Sequence, residues 1–268
     1  MSHDHRPEWQ LPPGVSRGLW EYAHNEFVAD DYDHFFAYNK LFDLDEQIIA
    51  RHFRVGAKGD GKLVVDLGCG TGRALLPLVR RGFRGLAIDL SERMLRVVRS
   101  KAAKDDLPVF CLKANLTQLD GLADAAADYA MCLFSTLGMI RGKNNRHHAL
   151  RHIFRILKRD GVFVLHVHNY WYNLYDPGGP WWLFKTLARS VFDRDLERGD
   201  KYFHYRGVAN MFLHVFTRSE ISGALRQAGF RISDVTLIDR ARMRPLRLPW
   251  LLGRLRANGW IIVCRKQE

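Results

Sequence analysis

Four cysteines in 268 residues, none in a Cys-x-x-Cys pair, are too few and too scattered for a disulfide framework or a structural zinc site. Cys69, Cys111, Cys132 and Cys264 mostly sit in apolar runs that read as strands, so reduced core thiols are expected. No run of about 18 apolar residues occurs, which leaves no candidate for a membrane-spanning helix. The first residues, Met1-Ser-His-Asp-His-Arg-Pro-Glu8, lack the apolar stretch of a signal peptide, and the expected location is cytoplasmic. Internal repeats and low-complexity tracts are missing too. Acids are scarce relative to bases: 29 Asp plus Glu against 41 Lys plus Arg, a net charge of +12. Such an excess favours polyanions, meaning nucleic acid, anionic lipid or acidic substrate, without indicating a fold.

What is present is an ordinary globular composition, 47% hydrophobic and 26% charged, over a length that allows one large domain or two small ones. Residues 1–60 divide into a loose arm to about residue 16, carrying Pro7, Pro12 and Pro13, and a helical cap. In the cap Leu41, Phe42, Leu44, Ile48, Ile49 and Phe53 recur at helical spacing, which predicts two or three helices. A polar, glycine-rich connection, 56–62, leads into the short apolar strand 63–67.

From there strands and helices alternate. Strands are predicted at 63–67, 85–89, 109–112, 129–134 and 162–166, with helices at 72–81, 91–103 and 146–157 between them. Strands apolar on both faces and separated by helices of about a dozen residues predict a doubly wound α/β fold, its mostly parallel sheet covered on both sides. The alternation breaks over 170–216, an insertion rich in Trp, Tyr and Phe with the turn signal Asp176-Pro-Gly-Gly-Pro180. It resumes with an N-cap near Thr217 or Ser219, a helix stopping at Gly229, a strand near 231–238 and a last strand at 260–264. The core is therefore assigned to 61–169 and 217–268.

The chemically informative segment is Asp66-Leu-Gly68-Cys-Gly70-Thr-Gly72-Arg73, at the end of the first strand. Glycines there let the chain turn sharply and let a ligand lie against the backbone, beside the free N–H groups that open the next helix. Asp89 closes the second strand, where a carboxylate can accept from ribose hydroxyls. A dinucleotide site would want Gly-x-Gly-x-x-Gly; here the third glycine comes one residue early and Arg73 takes its place.

With these residues the sequence resembles the class I, seven-stranded, Rossmann-like S-adenosyl-L-methionine (SAM)-dependent methyltransferases, over about 63–169 and 217–268. The resemblance implies SAM as cofactor and S-adenosyl-L-homocysteine as product. It implies that Gly68, Cys69, Gly70 and Gly72 form the turn beneath the methionine part, braced by Asp66, and that Asp89, followed by Leu90, holds the ribose. Asn115 and Leu116 match the family's adenine position, and Phe134 and Ser135 match the motif lining the methyl-transfer cleft.

A good leaving group makes positioning the main task, with a general base needed only where the acceptor holds its proton tightly. His168, at the carboxyl end of the fifth strand, is the first candidate base, ahead of His166, His204 and His214. The resemblance also weakens some subclasses. The (Asp/Asn)-Pro-Pro-aromatic motif of amine methylation on bases is replaced by Phe134-Ser-Thr-Leu137, and Cys132 follows Met131 rather than a proline. No metal is expected: His148 and His152 share i, i+4 spacing without carboxylate or cysteine companions.

An aromatic cover, 170–216, suits a small hydrophobic or aromatic acceptor. From Arg240 to Arg256 there are six arginines and no acid, interleaved with Trp250 and leucines, which suits peripheral contact with an anionic membrane. An RNA methyltransferase of the tRNA type, sharing the segment His214-Val-Phe216, is the first alternative, and a non-catalytic SAM-fold scaffold is the second. The acceptor's identity, the methylated atom and the oligomeric state are not encoded in any motif.

Overall fold

The computed structural model describes residues 7–25, 31–36, 42–55, 61–192 and 197–267; the start of the arm, Leu41 and most of the 56–62 connection lie outside these. Nine strands form among the described residues, numbered in chain order: β1 (Leu63–Leu67), β2 (Arg84–Asp89), β3 (Val109–Lys113), β4 (Ala127–Cys132), β5 (Leu157–His168), β6 (Asp200–Tyr205), β7 (Val208–His214), β8 (Phe230–Leu237) and β9 (Gly259–Lys266). Seven of them make one sheet in the order β3-β2-β1-β4-β5-β9-β8. The first five run parallel, and β9 pairs antiparallel with both β5 and β8. Strand order reverses between β1 and β4, and that switch point is where open α/β sheets leave a crevice at their carboxyl ends.

Residue period two explains why the sheet is buried on both faces. Val65, Phe163, Leu165 and Ile262 enter one core, whereas Val64, Val162, Val164 and Ile261 enter the other. The cap helices α1 (Arg17–His24), α2 (Tyr32–Phe36) and α3 (Asp43–His52) precede the sheet, followed by α4 (Leu75–Arg80) and α5 (Glu92–Lys104). The second core takes Ile48 of α3, Leu75 of α4 and Leu95 of α5. Next come α6 (Lys143–Ile156), α7 (Gly179–Phe192) and α8 (Arg218–Gln227), and α6 and α8 give Ile153 and Leu225 to the first core. Thr217 starts α8 with a reciprocal capping box to Glu220, and Gly229 follows at φ +101°. A short α9 (Gly253–Arg256) precedes β9.

One expectation needs correction. The arm is not loose over its described part: Val15 and Ser16 are buried, and the Gly14 carbonyl accepts from the Arg141 N–H at 2.8 Å. The insertion has secondary structure of its own. It holds a 3-10 turn (Tyr170–Tyr175), α7 and the β6–β7 hairpin, with a small core of Tyr170, Leu183, Leu213 and Val215.

Cap and insertion meet. A Cβ on Gly18 of α1 would lie 2.4 Å from the Asn210 carbonyl of β7, and the Tyr22 and Tyr205 rings are 5.9 Å apart. All four cysteines are free, and burial pushes the Cys132 and Cys264 thiols up to about 12, so neither is a nucleophile at neutral pH.

Candidate active site

At the switch point, the carboxyl ends of the first four strands border a cleft of about 1190 Å³ that is partly open to solvent. Asp66, Gly68, Cys69, Gly70, Asp89, Leu90, Asn115, Leu116 and Phe134 all line it. These come from four separate strand ends, so the fold gathers most of the residues singled out from the sequence. The loop is shaped locally: Gly68 and Gly70 have φ of +78° and +52°, and the Gly68 and Cys69 N–H groups donate to the Ile88 carbonyl at 2.8 and 3.0 Å.

Two expected cofactor residues fall outside the lining. Gly72, at φ +77°, is packed by Val98 and Leu76, so its lack of a side chain serves helix packing. Ser135 is fully buried, and its Oγ accepts from the His168 N–H at 3.4 Å; consecutive left-handed residues, Phe134 at φ +52° and Ser135 at +62°, turn the serine inward.

The brace expected of Asp66 is supplied by Asp89. Its Oδ2 accepts from the Gly70 N–H at 2.8 Å and its Oδ1 from the Ser91 N–H at 2.8 Å. Asp66, buried and beside Asp89, has its carboxyl pushed up to about 8, and among the described residues it makes no hydrogen bond to the loop. Asn115 lines the cleft with its amide already engaged: Nδ2 donates to the Pro13 carbonyl at 2.8 Å and Oδ1 accepts from the Thr117 N–H at 3.2 Å. It pins the arm over the cleft.

The cap completes the site with residues the sequence pattern did not single out: Gly14, Val15, Leu19, Tyr22 and Tyr32 all line the cleft. Thr71 Oγ1 donates to Asp33 Oδ1 at 2.7 Å, tying the glycine loop to α2. Burial raises the Tyr22 and Tyr32 hydroxyls far above the ordinary phenol range, so both remain protonated donors. In the sequence, the helical spacing of the cap marks these elements without showing which side chains reach the cleft.

A second cavity, about 970 Å³, adjoins the first and shares Phe134 and Met139 with it. The 170–175 turn, the hairpin and the loop before α9 wall it, contributing Tyr172, Lys201, Phe203, Tyr205, Leu213 and Arg242. His168 sits here, its ring centroid 6.3 Å from that of Phe134. Among the described residues neither of its ring nitrogens has a hydrogen-bond partner, and burial, then Arg242, His166 and Lys201, hold its pKa well below 6.5. It is a neutral imidazole in the cavity wall, with both nitrogens buried.

The other histidines are committed elsewhere. His166 Nδ1 meets both carboxylate oxygens of Asp45 at 2.9 Å, and His204 is exposed outside both cavities. His214 is fully buried, with Nδ1 2.6 Å from Asp200 and Nε2 2.7 Å from Glu220. Glu197, His214 and Glu220 lie close enough to hold a cation, but Arg146 is already paired with Glu197 and both imidazole nitrogens donate to carboxylates.

Residues 64–161 match the family model described as "Methyltransferase domain". The chain is 31% identical over 139 residues to the ubiquinone biosynthesis O-methyltransferase of Caulobacter vibrioides, covering 51% of this chain and 54% of that protein. It is 26% identical over 221 residues to an uncharacterized protein of Methanocaldococcus jannaschii, covering 80% and 77%. Several of the matched curated relatives are spanned over only about half their length. Among solved structures, the 1,6-didemethyltoxoflavin N1-methyltransferase of Burkholderia thailandensis, with bound substrate and S-adenosylhomocysteine, superposes with a TM-score of 0.61 at 17% identity, covering 96% and 93%. At that identity the likeness is one of fold.

Proposed function

The seven-stranded core of this chain belongs to the class I, Rossmann-like SAM-dependent methyltransferases, and from that premise we propose that the protein methylates a small acceptor with a planar or apolar body. The observation that carries the reading is the junction of two cavities at Phe134 and Met139: one lined by the glycine loop and Asp89, the other by His168 and aromatic walls.

The first cleft fits SAM. Among the described residues a Cβ on Gly70 would meet nothing nearer than the Tyr32 ring at 3.8 Å, an ordinary van der Waals contact, so a ligand can lie against the backbone there between the loop and Tyr32. Asp89 keeps lone pairs for ribose hydroxyls beyond its bonds from the Gly70 and Ser91 N–H groups and the neighbouring Leu90 N–H. Leu90, Met94 and Leu116 supply apolar wall. SAM, when bound, supplies a methyl group on a sulfonium centre and leaves as S-adenosyl-L-homocysteine. The chain's own contribution is to orient the acceptor from the second cavity, exclude water with the cap and hairpin, and offer His168 to receive the acceptor's proton.

Aromatic and aliphatic walls, Phe134, Met139, Phe203, Leu213 and Val215, support a planar or hydrophobic acceptor. The RNA reading loses its motif, because His214 and Phe216 are both buried. Calorimetric titration with S-adenosyl-L-homocysteine is the test. Binding is expected, and its absence would favour the non-catalytic scaffold.

The reading extends to a cytoplasmic protein that touches anionic membrane through 240–256. No helix of the described residues is long and apolar enough to cross a membrane. Trp250, Leu252 and Leu248 are 78%, 63% and 54% exposed beside arginines, which supports surface contact. Of the six arginines, Arg242 turns into the cavity and Arg256 donates to the Leu248 and Leu251 carbonyls, leaving four for a surface. Cosedimentation with phosphatidylserine vesicles, lost in Trp250→Ala, is the expected outcome.

A further inference from the structure

We propose that the methyl acceptor carries an acidic group, a carboxylate or a phosphate monoester, and that Lys201 and Arg242 hold it in the second cavity. The proposal rests on the methyltransferase reading and adds the acceptor's charge to it.

The cavity is built with more positive than negative charge. Lys201 reaches in from β6 and Arg242 from the loop after β8, whereas Asp176 is the one carboxylate among its lining residues. That acid's charge acts on both cations without a close ion pair to either. Its Oδ2 lies 3.9 Å from Lys201 Nζ, while the lysine donates to Asn173 Oδ1 at 2.8 Å. The Arg242 guanidinium makes no hydrogen bond or ion pair with any described residue. Two cations against one anion leave a surplus of one positive charge in a partly buried space, a state that an anionic occupant relieves.

Backbone conformation supports the same reading. Arg242 stands at φ +60°, in the left-handed region that arginine seldom occupies, within a turn where the Met243 and Arg244 N–H groups donate to Asp239 Oδ1 at 2.9 and 3.3 Å. At this turn Arg242 lines the cavity and is half-buried, although an arginine in a surface loop is better solvated pointing outward. Burial accordingly lowers the pKa of both Arg242 and Lys201.

Two further groups give the cavity polarity suited to an oriented ligand. Among the described residues neither His168 nitrogen nor the Oδ1 of Asn258, itself 2% exposed, has a partner, and both residues line the cavity. An acid anchored between Lys201 and Arg242 leaves these acceptors to receive an O–H or N–H elsewhere on the same molecule. Arginine suits the anchor because its planar fork matches two oxygens of a carboxylate or phosphate. The aromatic walls take the body of the molecule, the cations take its acid, and the Phe134 side of the cavity presents it to the cofactor cleft.

The test titrates the full chain, saturated with S-adenosyl-L-homocysteine, with benzoate, phenyl phosphate and the neutral benzamide. At least one acid is expected to bind about tenfold or more tightly than the amide, and whichever acid binds better distinguishes carboxylate from phosphate. In Arg242→Gln and Lys201→Gln this preference falls about tenfold, and Arg242→Lys restores part of it, with S-adenosyl-L-homocysteine affinity unchanged throughout. No preference for either acid in the wild type, or a preference that survives both substitutions, overturns the proposal. Because the wild-type comparison stands alone, a variant that fails to fold does not protect it. Loss of S-adenosyl-L-homocysteine binding instead strikes the methyltransferase reading, and the acid preference is then measurable without the cofactor product.

Discussion

The backbone N–H of Gly70 donates to Oδ2 of Asp89 at 2.8 Å, so one carboxylate both fixes the glycine loop and faces the cleft that the loop borders. Burial raises the Asp89 pKa, and the N–H groups of Ser91, Gly70 and Leu90 pull it back, which keeps an acceptor where ribose hydroxyls need one. Asp89→Ala removes the loop brace and the ribose acceptor together. Hydrogen bonds to a charged group are each worth roughly 1.5–3 kcal/mol, so affinity for S-adenosyl-L-homocysteine should fall about 10- to 100-fold in calorimetry. An unchanged affinity would show that Asp89 acts only within the protein.

Gly68 and Gly70 share positive φ and differ in their surroundings, and that difference separates stability from binding. A Cβ on Gly68 would lie 2.4 Å from Thr136 Cγ2, whereas one on Gly70 meets nothing within 3.8 Å. Gly68→Ala should therefore cost roughly 2–5 kcal/mol, combining the left-handed penalty with overpacking. Gly70→Ala should cost only about 1–2 kcal/mol, yet weaken S-adenosyl-L-homocysteine binding by occupying the space between the loop and Tyr32. Thermal unfolding beside calorimetry reads both effects. Adding Thr136→Ala should recover part of the Gly68→Ala loss and none of the Gly70→Ala binding defect.

Those glycines were legible because turn chemistry is local; Lys201 and Arg242 were not, because their meeting is a property of the fold. Strand 63–67, the glycine loop and Asp89 follow from residue period and from turns a few residues long. The acceptor cavity instead draws Tyr172, Lys201 and Arg242 from three segments whose spacing carries no pattern. Arg242 reads as surface charge in a run of six arginines, whereas the fold makes it part of the cavity wall. Ser135 shows the converse. Family position placed it at the cofactor, and two successive positive-φ residues rotate it into the core. Val15 and Tyr32 were invisible for a third reason: an arm and a cap helix look alike in sequence whether or not they fold over a cleft.

His214 bonds Asp200 and Glu220 at once and ties the hairpin to α8, so the closed insertion should depend on pH. Burial would lower its pKa, but the bonds to Asp200 and Glu220 outweigh burial and the repulsion of Arg146, and the net shift is upward from 6.5. A raised basic pKa stabilises fully below about 6.5, and the contribution disappears as pH rises through the folded value. Glu220 is shifted downward, chiefly by His214 against the opposing effect of burial, so its share is lost as pH falls below 4.5 through its folded value. Stability attributable to the pair should peak between those limits. Breaking it by His214→Gln should cost roughly 3–5 kcal/mol near pH 6 and progressively less in alkaline buffer. Denaturant unfolding of both proteins across pH checks this, and a difference that grows with pH would refute it.

His168 offers a readout of the second cavity that needs no substrate. The groups facing it are His166 on its own strand, Lys201 and Tyr205 of β6, Tyr172 and Asp176 of the 170–176 segment, and Arg242. Burial is the largest cause of its depressed pKa, with Arg242 next and Lys201 weaker. Histidine nuclear magnetic resonance should therefore find a midpoint well below 6.5 in the wild type. Arg242→Gln should move the midpoint upward only part of the way, since burial persists, and Lys201→Gln should move it less. A wild-type midpoint near 6.5 would mean that water reaches the ring freely. Equal, negligible shifts in the two variants would mean that burial alone sets the value, and the cavity would then lack the focused positive field that its geometry indicates.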